Sequence, residues 1–134
     1  MINIFLAYCS KDKTLFATIL DNLQPLSKCC EFWYYNQDSD PITMDEIIKT
    51  KLPRTDLFVV FITNNSLNSD HIQREIFEAK NLSKEICPII IDNSITANSD
   101  ARIPEFINSI YYASPPINAI QIIEDELEKI NVLR

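Results

Sequence analysis

The sequence predicts an α/β domain of three layers, with helices on both faces of a five-stranded parallel sheet, and three observations predict it. Short apolar segments are followed by amphipathic ones about five times along the 134 residues, a strand-then-helix order. The segment Leu57-Phe58-Val59-Val60-Phe61-Ile62 is apolar at six successive positions, which a strand tolerates only when both its faces are covered. The crossovers between apolar segments are short and helical, which forces neighbouring strands to run parallel.

Residues 2–8 read as the first strand, running from Ile2 to Tyr8. Cys9-Ser10-Lys11-Asp12 is the turn after it, and Ser10 is expected to cap a helix reaching Leu23 on a face of Leu15, Phe16, Ile19 and Leu20. Pro25 stops that helix, because a proline has no amide to donate and its ring clashes with the preceding turn. Residues 31–35 make a short aromatic strand, and Asn36-Gln37-Asp38-Ser39-Asp40-Pro41 is a polar loop with strong turn chemistry. Residues 44–52 are a short helix ended by Pro53. Beyond the central strand come a buried strand over 86–91, a stretch at 94–107 open to either helix or loop, and a last strand over 110–112. Ser114-Pro115 opens a final helix, in which Ile117, Ile120, Ile123, Leu127 and Ile130 keep a three-and-four spacing.

The central strand feeds a polar turn at 63–68 and then a helix capped by Ser69, with Asp70 in its first turn complementing the helix dipole. At 100° per residue the apolar face of this helix holds Ile72, Ile76, Ala79 and Leu82, and Glu75 projects onto the same face. Burying an ionised carboxyl without a partner costs several kcal/mol. Such an acid therefore sits at the mouth of a cleft, or else reaches solvent, Arg74 or Lys80 from the helix border. In parallel sheets ligands bind at the carboxyl ends of the strands. That rule gathers the turns at 9–12, 36–42, 63–68 and 92–94, and Glu75 lies on the helix leaving the third of them.

Composition narrows the function. A net charge of −7 and a pI near 4.6 oppose binding to a nucleic-acid backbone, which needs a clustered basic surface. The 46% hydrophobic content is spread over the whole chain, as in one globular domain spanning 1–134. No apolar run approaches the roughly 18 residues that cross a bilayer, and no basic segment precedes an apolar signal core, so a cytoplasmic chain is expected. Cys9, Cys29, Cys30 and Cys87 lack metal-ligand spacing and read as reduced thiols. A single His leaves little room for a His-based metal site, and none is expected. There is no glycine at all, which excludes the Gly-rich phosphate turns of dinucleotide and Walker-type folds. Left-handed turn positions are then expected at Asn36, Asn64, Asn65, Asn68 and Asn93.

Three stretches carry a resemblance. The run Ile4-Phe5-Leu6-Ala7-Tyr8-Cys9-Ser10-Lys11-Asp12 is similar to the opening box of Toll/interleukin-1 receptor (TIR) domains. Trp33-Tyr34, followed by Asp38 and Pro41, resembles the family's second-strand box and the BB loop after it. Phe58 to Glu75, with Ser66, Leu67, Gln73 and Arg74 between them, resembles the third strand and the helix that carries the family's catalytic glutamate. The boxes fall in the right order over nearly the whole chain, and the fold implied is the flavodoxin-like three-layer sandwich. The chain departs from the family at Ile42, where glycine usually follows the loop proline, at Tyr35, where an acid is usual, and at His71, where many enzymatic members carry Trp.

The resemblance implies an enzyme of the bacterial NAD-cleaving type, with NAD+ as substrate and no other cofactor. Glu75 would be catalytic, His71 would flank the nicotinamide, and Ser10 and Lys11 would meet the pyrophosphate. Tyr8, Trp33 and Asp38 complete the set implied for substrate binding. Self-association through the loop from Asn36 to Thr43, a nucleotide signal read by a downstream effector, and a role in antiphage immunity are implied with it. Plainer roles stand beside these: Ser10 as a cap, Asp12 as a dipole partner, Trp33 and Tyr8 as packing aromatics, Asp38 and Asp40 as solvated turn residues. Two other functions share the pattern, a non-catalytic adaptor working by TIR–TIR assembly and a base-exchange enzyme like a nucleoside deoxyribosyltransferase. A phosphoreceiver domain does not fit, since the third strand ends in Thr63-Asn64 where an acceptor Asp is needed.

Overall fold

The computed structural model describes residues 1–34, 44–92, 95, 100–107, 111–112 and 119–133. Five parallel strands, β1 (Ile2–Ala7), β2 (Cys30–Trp33), β3 (Leu57–Ile62), β4 (Glu85–Ile90) and β5 (Tyr111–Tyr112), lie in the order β2-β1-β3-β4-β5. Among the described residues, five α-helices join or flank them: α1 (Lys13–Asn22), α2 (Met44–Thr50), α3 (Asn64–Leu67), α4 (Asp70–Asn81) and α5 (Ala119–Leu133). Short 3-10 turns occupy Ser10–Asp12, Gln24–Lys28 and Leu52–Arg54. The three-layer parallel architecture is the one predicted.

Strand alternation sorts the core into two layers. Phe5, Ala7, Phe58, Val60, Ile62 and Ile90 point to the side covered by α2, α3 and α4. Ile4, Leu6, Leu57, Val59, Phe61, Cys87 and Ile89 point to the side covered by α1 and α5. All six residues of β3 are buried, as a strand walled on both faces must be. Pro88 stands inside β4 opposite Val60, one residue before the first β4–β5 pair among the described residues, Ile89 with Tyr111.

Several local expectations change. The turn at 63–68 contains α3, closed by a capping box in which the Thr63 hydroxyl accepts from the Ser66 amide and the Ser66 hydroxyl accepts from the Thr63 amide. Asn64, Asn65 and Asn68 consequently do not take left-handed backbone; among the described residues that conformation falls to Ser83, with φ of 57° just after α4. Ser10 is not a helix cap either. It opens the 3-10 turn, and α1 begins only at Lys13. Leu82 ends up at the C-cap of α4 and is exposed, because the helix stops before its turn reaches the sheet. Asn36, Asp38, Asp40, Pro41, Ile42, Asn93, Ser114, Pro115 and Ile117 lie outside the described residues.

Phe58 is fully buried and its ring stacks on Phe5 with centroids 5.6 Å apart. Phe58→Ala is expected to lower stability by about 3–5 kcal/mol, read from urea unfolding.

Candidate functional site at the strand ends

The chain leaves β1 toward one face of the sheet, through α1, and leaves β3 toward the other, through α3 and α4. The two exits therefore diverge. A crevice opens between adjacent strands whose connections diverge in this way, the switch point where open α/β sheets bind ligands. Here a cleft of about 340 Å³ is lined by Cys9, Ser10 and Lys11 from the β1 exit and by Asn65, Asn68, Ser69, Asp70 and His71 from the β3 exit. It stands at the small end of the range of ligand cavities, roughly 300–1,000 Å³.

Side-chain hydrogen bonds hold the two walls together. Asp12 accepts from the Thr63 hydroxyl at 2.6 Å and from Asn65 Nδ2 at 2.8 Å, tying the first exit to the second. Asp92, after β4, accepts from the Asn64 amide at 3.0 Å. From the outer side, the Arg102 guanidinium donates to Asn64 Oδ1 at 2.8 Å and to Asn68 Oδ1 at 3.1 Å. The same guanidinium grips Asp100 through two nitrogens, and this holds the Asp100 carboxyl down at about 2. Gln73 closes the frame by donating to the carbonyls of Leu67 and Arg102, each at 3.2 Å. Asp12, the N-cap residue of α1, is thus also a clasp between the two loops.

Ser69 caps α4 by accepting from the Ile72 amide at 3.4 Å, so the first turn of a 12-residue helix faces the cleft. One turn after His71 stands Glu75, on the sheet-facing side with Ile72, Ile76 and Ala79. Only 2% of Glu75 is exposed. It has no hydrogen-bond or ion-pair partner among the described residues. The two cations nearest in sequence are engaged elsewhere, Arg74 with Asp45 and Lys80 over the Phe106 ring. Burial alone pushes the Glu75 carboxyl up to about 8. The solvent-reaching role is thereby excluded, and the acid is held largely protonated at neutral pH.

The other candidates divide by layer. Ser10, Lys11 and His71 line the cleft, whereas Glu75, one turn farther along α4, is not among its lining residues. Trp33 does not line it, but sits in the same core layer as the sheet-facing side of α4, with Lys51 and Arg54 over its ring at 5.1 and 5.4 Å and its indole N–H buried without a partner. Tyr8 is on the opposite layer, stacked on Phe16 with centroids 3.7 Å apart and edge-on to Tyr34, so the structure does not bring it to Glu75. Asp38 is outside the described residues. The sequence reading missed Asp12, Asp92 and Arg102 as the frame of the cleft, and Cys9, Asn65 and Asn68 as lining.

Fold and cleft together define an α/β domain with a crevice at its β1/β3 switch point and a buried acid one helical turn beyond the cleft-lining His71. The TIR domain family profile matches residues 4–128, and the chain belongs to that family. No curated protein matches the sequence. Among solved structures, the chain is similar to the TIR domain of the Toll-related receptor TRR-2 from Hydra magnipapillata, at 14% identity and TM-score 0.66, covering 96% of this chain and 97% of that one. It is similar to the TIR domains of the activated Roq1 resistosome, which directly recognises the pathogen effector XopQ, at 14% identity and TM-score 0.53, over 69% of this chain and 58% of that one. It is also similar to the CMP N-glycosidase BcmB of Clostridium botulinum, at 16% identity and TM-score 0.59, over 91% of this chain and 98% of that one. At these identities the likeness is one of fold.

The folded value of Glu75 stands above its ordinary 4.5, so between about 4.5 and 8 the folded chain keeps a proton that the unfolded chain releases. Stability from this group is complete below that window and is lost as pH rises through it. Glu75→Gln should therefore match wild type in stability measured at pH 4 and exceed it at pH 9, by on the order of a few kcal/mol.

Proposed function

We propose that this TIR domain is an NAD+ nucleosidase that cleaves the bond between nicotinamide and ribose. The observation that carries the reading is Glu75, a buried acid with no partner among the described residues, one helical turn from His71 at the switch-point cleft. Nicotinamide in NAD+ is cationic and leaves as a neutral base, so this reaction needs no general acid. What it needs is negative charge against the ribose as the glycosidic bond breaks and the sugar becomes an oxocarbenium ion. An ionised Glu75, in a site of lowered dielectric, stabilises that cation more than water does.

In this reading Ser10, Lys11 and the first turn of α4 receive the pyrophosphate and His71 flanks the nicotinamide ring, which is supported by their lining one cleft. Water capturing the cation gives ADP-ribose, whereas capture by an adenine or ribose atom of the same molecule gives a cyclic isomer. In this reading the domain acts in the cytoplasm and assembles through TIR–TIR contacts of the loop from Asn36 to Thr43. Its product is a nucleotide signal for a downstream effector in antiphage immunity.

A second reading is cleavage of a base from a pyrimidine nucleotide, favoured by the fold likeness to a CMP N-glycosidase over 91% of this chain. The two reactions ask opposite things of Glu75. A neutral pyrimidine leaves well only if it is protonated, which a carboxyl held up to about 8 supplies at neutral pH. NAD+ cleavage uses the carboxylate instead. The protonation state of one residue thus separates the readings.

The test is release of free nicotinamide from NAD+, at high protein concentration with a crowding agent. Wild type is expected to release it, with kcat/KM rising between pH 6 and pH 9 around a midpoint near 8, and Glu75→Gln to lose about a hundredfold or more. Release of cytosine from CMP that falls with rising pH would replace this reading with the second. Turnover of neither substrate by folded, assembled protein would leave the non-catalytic adaptor.

A further inference from the structure

At the opposite end of the sheet from the cleft, where β2 begins, two adjacent cysteines bring their sulfurs together. Cys29 Sγ and Cys30 Sγ are 3.6 Å apart, Cys29 is exposed and Cys30 is buried. The other two cysteines, Cys9 and Cys87, are both buried. The close pair has one thiol that a small molecule can reach and a second within contact of the first. We infer that Cys29-Cys30 is a reversible modification site for small-molecule disulfides, closing to an intramolecular disulfide between the two neighbours.

The exchange balances without a further reagent. The Cys29 thiolate attacks one sulfur of the incoming disulfide, forms a mixed disulfide and expels one thiolate. Cys30 gives its proton to that leaving thiolate, attacks Cys29 Sγ and expels the second thiolate, which takes up the proton that Cys29 released on ionising. Two protein thiols lose two protons and two electrons in total, and the reagent takes up both to become two thiols. The order of attack follows from the surroundings: burial and the neighbouring Cys29 thiol push the Cys30 thiol up to about 12, so the exposed sulfur opens the reaction and the buried one resolves it.

Closure has a structural consequence. The sulfurs must approach to about 2.05 Å, which draws the peptide between the two residues into a small ring. That peptide carries the Cys29 carbonyl, which accepts from the Ile2 amide at 3.0 Å in the first hydrogen bond between β1 and β2. Moving it loosens the start of the edge strand that runs on to Trp33. The bond formed is exposed and constrained, the kind that cellular thiols reduce readily.

The experiment treats the native full chain with oxidised glutathione and reads intact mass under non-reducing conditions. Wild type should lose the mass of two hydrogens, regain it with dithiothreitol, and show amide exchange at Ile2 about tenfold faster while oxidised. Cys30→Ala should stop at a single glutathione adduct, and Cys29→Ala should stay unmodified. Cys29 is exposed, so Cys29→Ala keeps the test decisive even if Cys30→Ala fails to fold. A stable adduct on wild type, a disulfide between chains, loss of two hydrogens from Cys29→Ala, or unchanged exchange at Ile2 in the oxidised chain would overturn the inference.

Discussion

A parallel sheet has to be covered on both faces, and that constraint organises this domain. Once β3 is apolar at all six positions, helices must pack on each side of it, and the chain must leave successive strands in different directions. It goes from β1 to α1 on one face and from β3 to α3 and α4 on the other, although β1 and β3 are hydrogen-bonded neighbours. The gap between the diverging exits is the cleft. Its position thus follows from the order β2-β1-β3-β4-β5, and its lining residues from what the two exits happen to carry.

A gap between two loops is a useful site only if the loops are held. Here the holding is done almost wholly by polar side chains reaching across the sheet ends. Asp12 joins the two exits, Asp92 fixes the amide that opens α3, and Arg102 binds the Asn64 and Asn68 side chains while its own charge is matched by Asp100. The capping box of Thr63 and Ser66 supplies the donors and acceptors that a four-residue helix cannot supply for itself. Each wall is therefore specified by hydrogen bonds across the loops together with the burial of a few anchors, Cys9 on one side and Ser66 and Leu67 on the other.

This division also governs what was legible in the residues. The apolar run 57–62 and the 3.6-residue face holding Ile72, Glu75, Ile76 and Ala79 are periodic signals, so the central strand, the helix and the anomalous acid were visible. Alternation also contained the answer for Tyr8, which follows Ile4 and Leu6 at intervals of two and lies with them on the layer away from Glu75. The frame of the cleft carried no such signal. Asp12 meets Thr63 across 51 positions and Arg102 meets Asn68 across 34, and nothing local marks either as a partner. The short helix at 64–67 was hidden because Thr63, Asn64, Asn65 and Ser66 are residues that favour turns and caps alike.

The burial that makes Glu75 conspicuous also sets its charge. With its carboxyl held up to about 8, the group is mostly neutral at pH 7. A cation brought to about 5 Å, in surroundings of effective dielectric near 20, is worth about 3 kcal/mol to that anion, or roughly two pKa units. This is enough to carry the group from mostly neutral to mostly ionised at neutral pH. A positively charged ligand such as the nicotinamide end of NAD+ would thus create the carboxylate by its arrival, and the cost of a bare buried charge would fall only on the occupied state. A nucleotide whose base is neutral brings no such positive charge and would meet the acid in its protonated form. Under the proposed function, the same side chain in the same apolar layer would be a charge stabiliser toward one class of N-glycoside and a proton donor toward the other, with the charge of the leaving base deciding which.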